Sequence, residues 1–306
     1  MIVVCGEALI DLVPAGSAAT TWHAAYGGGP ANTAVALARL GTPAALACRL
    51  SGDGFGRQLR AYLADSGVDL HLAVAASEPT TLAVVGFDEQ GVADYQFYVS
   101  GTADWQWSPD ELPDRLPAGT QGLHVGSLAT VLPPGADVLH AWAAAHRDET
   151  MVTYDVNVRS ALLPDRDAYR RHVEAWLDVA HVVKASDDDL RWLYPGRDPL
   201  VVVRDWLDRH DLALVLVTEG ADGAVAVPRG HAPVRVPGIE VDVVDTVGAG
   251  DTFTAAFLHR LPSGPFDADH LVPALRFAVA AAALVCTRKG AQPPTQDEVE
   301  ELLARG

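Results

Sequence analysis

The sequence predicts an α/β fold, a three-layer sandwich around a mostly parallel sheet, carrying a small inserted β-sheet lid. Three observations predict it. Short apolar runs alternate with apolar residues at helical spacing from the start of the chain. The alternation breaks between Thr80 and Val99, where two strand-like runs follow one another with no helix between them. From Gly122 it resumes, with no internal repeat, low-complexity tract or clear linker, so residues 1–306 read as a single domain with its lid at about 12–25 and 80–100.

Met1 to Cys5 is a short apolar run that reads as a buried strand. Pro30 to Leu40 carries apolar residues at helical spacing, with Pro30 in the first turn and Gly41 as terminator. Ala44 to Leu50 reads as the next strand, and Phe55, Leu59, Tyr62 and Leu63 mark an amphipathic helix ending at Gly67. Thr81 to Phe87 and Tyr95 to Val99 form a hairpin through the turn Asp88-Glu89-Gln90-Gly91, and residues around Leu12 to Ala25 add strands to it. Strands then follow near Leu123, Val152, Val182 and Leu214, with helices near Leu139, Val173, Leu190 and Val203.

The composition, 49% hydrophobic over 306 residues, supplies a large core. A formal net charge of −18, spread without a basic patch, disfavours nucleic-acid and membrane-surface partners. Cys5, Cys48 and Cys286 lack C-x-x-C spacing and sit among apolar residues, as expected of reduced thiols rather than a disulfide framework or zinc site. Glu7 and Asp11 interrupt the first apolar run, and Phe277 to Cys286 is shorter than the roughly 20 residues that span a bilayer. A soluble protein that remains in the cytoplasm is expected.

The segment richest in chemistry runs from Asp245 to Phe253, Asp-Thr-Val-Gly-Ala-Gly-Asp-Thr-Phe, and leads into a helix with Phe253, Ala256, Phe257 and Leu261 at apolar spacing. Small residues before a helix let main-chain amides approach an anion, and the helix dipole adds partial positive charge there. Gly248, Ala249 and Gly250 therefore form a candidate anion hole. Asp251, in the first turn, is a candidate base for a hydroxyl aimed at the same anion. The dipole is expected to hold its pKa low, which suits phosphoryl transfer, where positioning dominates. Taken alone, the same residues also suit a tight turn and a helix cap.

This segment closely resembles the carboxy-terminal signature of the ribokinase-like (PfkB) carbohydrate kinases, D-T-x-G-A-G-D-x-F. Gly27-Gly28-Gly29-Pro30-Ala31-Asn32-Thr33-Ala34, continuing to Gly52-Asp53-Gly54-Phe55-Gly56, resembles the family's amino-terminal signature, and Gly6 to Asp11 its opening strand. The resemblance covers nearly the whole chain and implies an ATP-dependent kinase of a small sugar, with magnesium. It implies that Asp11, Gly28, Gly29 and Asn32 bind sugar hydroxyls; a strand-end turn at Asp11 and a helix cap at Asn32 are the structural alternatives. An aromatic just after the hairpin, Tyr98, Trp105 or Trp107, either covers the apolar face of the sugar, with Tyr98 the candidate, or packs the core.

The only lysines, Lys184 and Lys289, lie outside any Walker A loop, and no dinucleotide fingerprint follows the first strand. Lys184-Ala185-Ser186-Asp187 occupies the place of the family's N-x-x-E motif, with Lys184 for asparagine, as in fructokinase-like members, and Asp187 for the glutamate that helps position magnesium through water. A helix start with dipole-favoured acids reads equally well there. Thr218 to Gly223, including Gly220, resembles the nucleotide-binding turn, and Ala282 lies in the region that flanks adenine. The resemblance further implies a potassium site built of the carbonyls of Asp245, Val247, Val285, Arg288 and Gly290, and a homodimer through the lid sheets.

Asp155-Val156-Asn157-Val158-Arg159 resembles a segment shared by fructokinases and ketodeoxygluconate kinases, with Arg159 facing phosphate or substrate. The opening strand, the Pro30-Ala31-Asn32 turn and Lys184 look more like fructokinases. The order of substrates is therefore fructose, another neutral sugar, then ribose, ketodeoxygluconate or a nucleoside. A non-catalytic sugar-binding regulator is the alternative of a different class, and the intact Gly248 to Asp251 segment argues against it.

Overall fold

A computed structural model describes residues 1–15, 21–87, 93–261 and 264–305. The expected turn Asp88 to Gly91 lies outside them. The main sheet has eight strands in the order β14 (Val234–Val236), β13 (Ala224–Pro228), β12 (Leu214–Thr218), β11 (Val182–Ser186), β10 (Met151–Asp155), β9 (Gly122–Gly126), β1 (Ile2–Cys5) and β4 (Ala44–Ala47). Strands β4 through β12 in that order pair in parallel, and β13 and β14 close one edge antiparallel.

Why this gives three layers can be read from the strands' period of two. Val3 and Cys5, Leu123 and Val125, Val152 and Tyr154, Val183 and Ala185, and Val215 and Val217 all enter one core. It is filled by helices α3 (Gly135–Ala145), α4 (Arg166–Leu177), α5 (Asp187–Leu193) and α6 (Pro199–Arg209), through Leu139, Tyr169, Trp176, Leu193 and Trp206. Their neighbours in sequence, Ile2, Val4, Val182, Leu214 and Leu216, point to the other face. There they meet α1 (Gly29–Arg39), α2 (Gly54–Asp65), α7 (Ala249–His259), α8 (Ala268–Cys286) and α9 (Gln296–Arg305). Strands buried on both faces need largely apolar runs, and these have them apart from the buried His124, Thr153, Asp155 and Lys184. Helix α8 has the length and apolarity of a membrane span, but Leu271, Ala274, Leu275 and Ala278 are buried in this second core.

A separate four-stranded sheet, β3 (Trp22–Gly27), β2 (Leu9–Pro14), β7 (Leu82–Phe87) and β8 (Ala93–Tyr98), is formed by the segments read as the lid. It begins at Leu9, directly after β1 and the Gly6 to Ala8 connection, so its second strand grows out of the main sheet. The single strand expected over Ala44 to Leu50 is instead two. After β4 the chain breaks at Cys48, and β5 (Arg49–Ser51) pairs with β6 (Val74–Ala76) in a third small sheet. The physical cause is buried Arg49: its guanidinium is held by Ala103 O, Glu78 and Glu111, which draws the strand away from β1.

Candidate active site

Helix α7 opens on Gly248, whose φ of 78° is left-handed and whose added Cβ would lie 2.7 Å from the Ala291 side chain. Only glycine suits that cap. Among the described residues, the N–H groups of Gly248, Gly250 and Asp251 have no acceptor, whereas the Ala249 N–H is spent on Thr246 O at 3.2 Å. Of residues 248–250, expected to form an anion hole, the turn that closes the cap uses the Ala249 N–H, while those of Gly248 and Gly250 stay free of internal bonds among the described residues.

Asp251 is buried beneath this helix start. Its Oδ2 accepts the Asn32 side-chain amide at 2.9 Å. Asn32 does not cap α1: the cap is Gly28, and Asn32, one turn in, turns its amide to the carboxylate instead. The added Cβ of Gly29 would stand 3.2 Å from Asp251 Oδ1 and 3.3 Å from Asn157 Nδ2, so that glycine faces the same point. The low pKa expected from the helix dipole is overturned. Burial pushes Asp251 up to about 7, helped by the Asp155 carboxylate and opposed by the Asn32 amide, Lys184 and Arg159.

Two cavities meet here. The larger, about 1040 Å³, is walled by Asn157 to Arg159, Lys184, Ser186 to Asp189, the Thr218 to Ala221 turn, Gly223, Ala249, Gly250, Ala282 and Cys286. The smaller is a narrow crevice, too tight for a water molecule, between Gly29, Ser127, Asp155, Asn157 and Asp251. Asn157 belongs to both, at a φ of 38°. Lys184 reaches the larger cavity from β11, its ammonium 3.0 Å from the position a Gly250 Cβ would take and 3.1 Å from Asp155 Oδ2. Burial works against its charge, yet the carboxylates of Asp155, Asp189 and Asp251 together outweigh burial and raise its pKa.

Of the other expected residues, Arg159 is in the wall of the larger cavity, while Asp11 and Tyr98 stand apart from both cavities. Asp11 is on β2, its carboxylate filling the space a side chain on Gly27 would need and lifted by burial to about 6 against the pull of Arg159. Arg159 is half-buried and makes no ion pair among the described residues, while its charge acts on Asp11, Glu7, Asp155 and Asp251. Tyr98 ends β8, 58% exposed, and lines neither cavity. Trp105 and Trp107 are core residues.

Two expected glycines have packing reasons of their own. The added Cβ of Gly28 would meet Glu7 O at 2.5 Å, and that of Gly223 would meet Val236 O at 2.2 Å. Asp187 lines the larger cavity, but its carboxylate is paired with Arg191 one turn along α5. Asp245 Oδ1 and Oδ2 accept the N–H groups of Val247 and Gly290 at 3.1 and 2.8 Å, fastening the segment before α7 to the turn after α8. In that turn Val285 O and Gly290 O each accept one N–H, and the carbonyls of Asp245, Val247 and Arg288 accept none among the described residues. Carbonyl oxygens with free lone pairs are the donor type an alkali cation requires.

The sequence reading passed over Ser127, at a left-handed φ of 59°, and Asp189, which is buried and accepts the N–H groups of Val158 and Ser186 at 2.8 Å each. Asp189 ties the Asp155 to Arg159 segment to α5. Its traces in the sequence are the acidic run beginning at Asp187 and the Ser186-x-x-Asp189 spacing of a helix cap.

Residues 1–298 match the family described as pfkB family carbohydrate kinase. Over 320 residues the chain is 37% identical to "Fructokinase-1" of Zea mays, covering 100% of this chain and 98% of that protein. The structure of a fructokinase from Xylella fastidiosa with bound ATP superposes with a TM-score of 0.90 at 29% identity, covering 99% of this chain and 98% of that one. A fructokinase from Vibrio cholerae O395 in fructose, ADP and calcium ion bound form gives 0.87 at 29% identity with the same coverage.

Proposed function

Because the chain belongs to the pfkB family of carbohydrate kinases, we propose that it transfers the γ-phosphoryl group of ATP to a hydroxyl of fructose. The observation that carries the reading is the position of Asp251, between a cleft of about 1040 Å³, large enough for a nucleotide, and a narrow crevice behind Gly29. Its carboxylate faces a hydroxyl on one side, and the free amides of its own helix face a phosphoryl group on the other.

In the reaction the sugar oxygen forms its bond to the γ-phosphorus as the bond to the β-phosphate oxygen breaks. Asp251 takes the hydroxyl proton, and ADP departs with the electron pair of the broken bond. Asn32 holds the carboxylate in place from α1. The α7 amides and the Lys184 ammonium offset the charge on the transferring group. Magnesium bound with ATP would spread the charge of its phosphates, and Asp187, which lines the cleft but pairs with Arg191, would help to hold it there. A potassium ion is assigned to the carbonyls fastened by Asp245, next to the anion hole.

On this reading Asp11, Gly29 and Asn32 hold the sugar, Arg159 balances the carboxylates around it, and Tyr98 comes with the lid sheet to cover it. Thr218, Gly220, Gly223 and Ala282 line the nucleotide end. The enzyme is assigned to the cytoplasm, where ATP is available and Cys5, Cys48 and Cys286 stay free. Homodimerisation through the lid is assigned with it; Trp22, Tyr26 and Tyr98 are exposed on that sheet.

The test is a panel of sugars and nucleosides with ATP, scored for ADP release and for the phosphorylated product. Fructose is expected to give the highest kcat/KM. A nucleoside or ketodeoxygluconate turning over faster than fructose would replace the substrate, and failure to phosphorylate any of the panel would remove the kinase reading.

A further inference from the structure

Asp155 and Lys184 form an ion pair buried from solvent, Oδ2 to Nζ at 3.1 Å. A buried ion pair adds little net stability over an apolar pair of the same size, so the reason for this one lies in what it faces. The ammonium lies against Gly250, at the start of α7. Thr254, one turn further along, donates to Gly250 O at 3.0 Å and to Asp155 Oδ2 at 3.4 Å. Asp155 thus joins β10, β11 and α7. It is also held in place from behind, because the main chain of β9 at Gly126 leaves no room: a Cβ there would stand 2.8 Å from Asp155 O and 3.0 Å from Asp155 Cβ. Its other oxygen, Oδ1, is buried without a partner among the described residues, and the residue lines the small crevice that also holds Asp251.

We infer that Asp155 is a positioning residue for phosphoryl transfer, holding with Thr254 the Lys184 ammonium against Gly250, where it meets the terminal phosphate of the nucleotide. The inference rests on the kinase reading above and adds a division of labour to it. Asp251 and Asn32 serve the hydroxyl. Asp155 serves the phosphate, and acts through Lys184. Without its carboxylate the ammonium loses its one direct partner in a buried site and keeps only the more distant pull of Asp189 and Asp251, so its place against Gly250 is no longer fixed.

The experiment compares Asp155→Asn, Lys184→Met and the double variant with wild type. Asp155→Asn is expected to lower kcat by about 30-fold or more while KM for the sugar stays within about threefold, since the loss falls on transition-state charge and not on sugar contacts. A non-hydrolysable ATP analogue is expected to bind about tenfold more weakly, and ADP within about threefold of wild type. The double variant is expected to lose no more than Lys184→Met alone, as required of a residue that acts through another. Wild-type kcat in Asp155→Asn, equal weakening of ATP analogue and ADP, or a double variant well below Lys184→Met each overturns the inference. If Asp155→Asn fails to fold, the double variant, which leaves no unpaired buried charge, decides by its comparison with Lys184→Met. If wild type does not phosphorylate the sugar at all, the kinase reading fails, and the ATP-analogue against ADP comparison still decides the role of Asp155.

Discussion

Asn32 and Asp251 are separated by 219 residues, and the Asn32 amide donates to the Asp251 carboxylate across 2.9 Å. The bond joins the first helix of the chain to α7, which pack side by side, and it fixes one carboxylate oxygen so that the other is free toward the space beside Gly29. A base that must accept a proton along one line gains from having its second oxygen held.

Asp251→Asn keeps the size of the side chain and removes its capacity to take a proton. Turnover is expected to fall by about a thousandfold or more, with ATP binding close to wild type, because general-base removal costs roughly 10² to 10⁴. Steady-state kinetics with calorimetric nucleotide titration checks this. Near-normal phosphorylation by the variant would remove Asp251 from the mechanism.

The pH profile follows from the same burial. Asp251 is lifted to about 7, and as a base it works only when ionised, so kcat/KM for the sugar is expected to fall about tenfold per unit below that pH and to level off above it. A profile that is flat from about pH 5.5 to 8 contradicts this. Had the helix dipole prevailed, as the sequence suggested, the fall would begin several units lower.

Asp104 gives a stability test away from the site. It is buried, accepts the Ala8 N–H at 2.9 Å, and burial lifts it to about 7. The folded state therefore holds the Asp104 proton more tightly than the unfolded chain, so this contribution is full below the unfolded value near 4 and is lost as pH rises through 7. Asp104→Asn keeps an acceptor for Ala8 and does not titrate. Relative to wild type, its unfolding free energy is expected to gain up to about 4 kcal/mol between pH 4 and pH 7, read by urea denaturation at several pH values. A constant difference between the two proteins across that range would contradict it.

Most of the fold was legible because its strands are short apolar runs and its helices periodic. The β4 to β5 break was not, since Arg49 within Ala44 to Leu50 signals its buried partners only once Glu78 and Glu111 are brought to it. At the site, the Asp245 to Asp251 segment could be read because one stretch of chain carries both the free amides and the carboxylate. For Asp189 only the cap on Ser186, three residues before it, lies within one stretch of chain; its bond to Val158 does not, since that residue is brought to it by the pairing of β10 with β11. The sign of the Asp251 shift was missed for a related reason. A dipole can be inferred from a helix start, but desolvation depends on everything packed over it.

The cation site yields a prediction by ion replacement. If the carbonyls around Asp245 hold a potassium ion, activity is expected to be several-fold higher in potassium than in sodium or a bulky organic cation at equal ionic strength, because coordination depends on fit to the ring of oxygens. Equal rates in all three would leave those carbonyls with a structural role only.

Gly28 and Gly29 are adjacent, and the structure separates their purposes. Gly28 has a φ of 102°, and a Cβ there would strike Glu7 O at 2.5 Å, which is main chain and cannot yield. Gly28→Ala is therefore expected to lower stability by about 2 kcal/mol or more, seen as a drop in Tm. At Gly29 the Cβ would be only moderately tight, 3.2 Å from Asp251 Oδ1 and 3.3 Å from Asn157 Nδ2, and both neighbours are side chains of the site. Gly29→Ala is expected to leave Tm within a few degrees and to cut kcat/KM for the sugar at least tenfold, because a methyl group would occupy the space between base and hydroxyl. A stable Gly28→Ala would mean that the Glu7 main chain can yield, and a fully active Gly29→Ala that the sugar approaches Asp251 from another side.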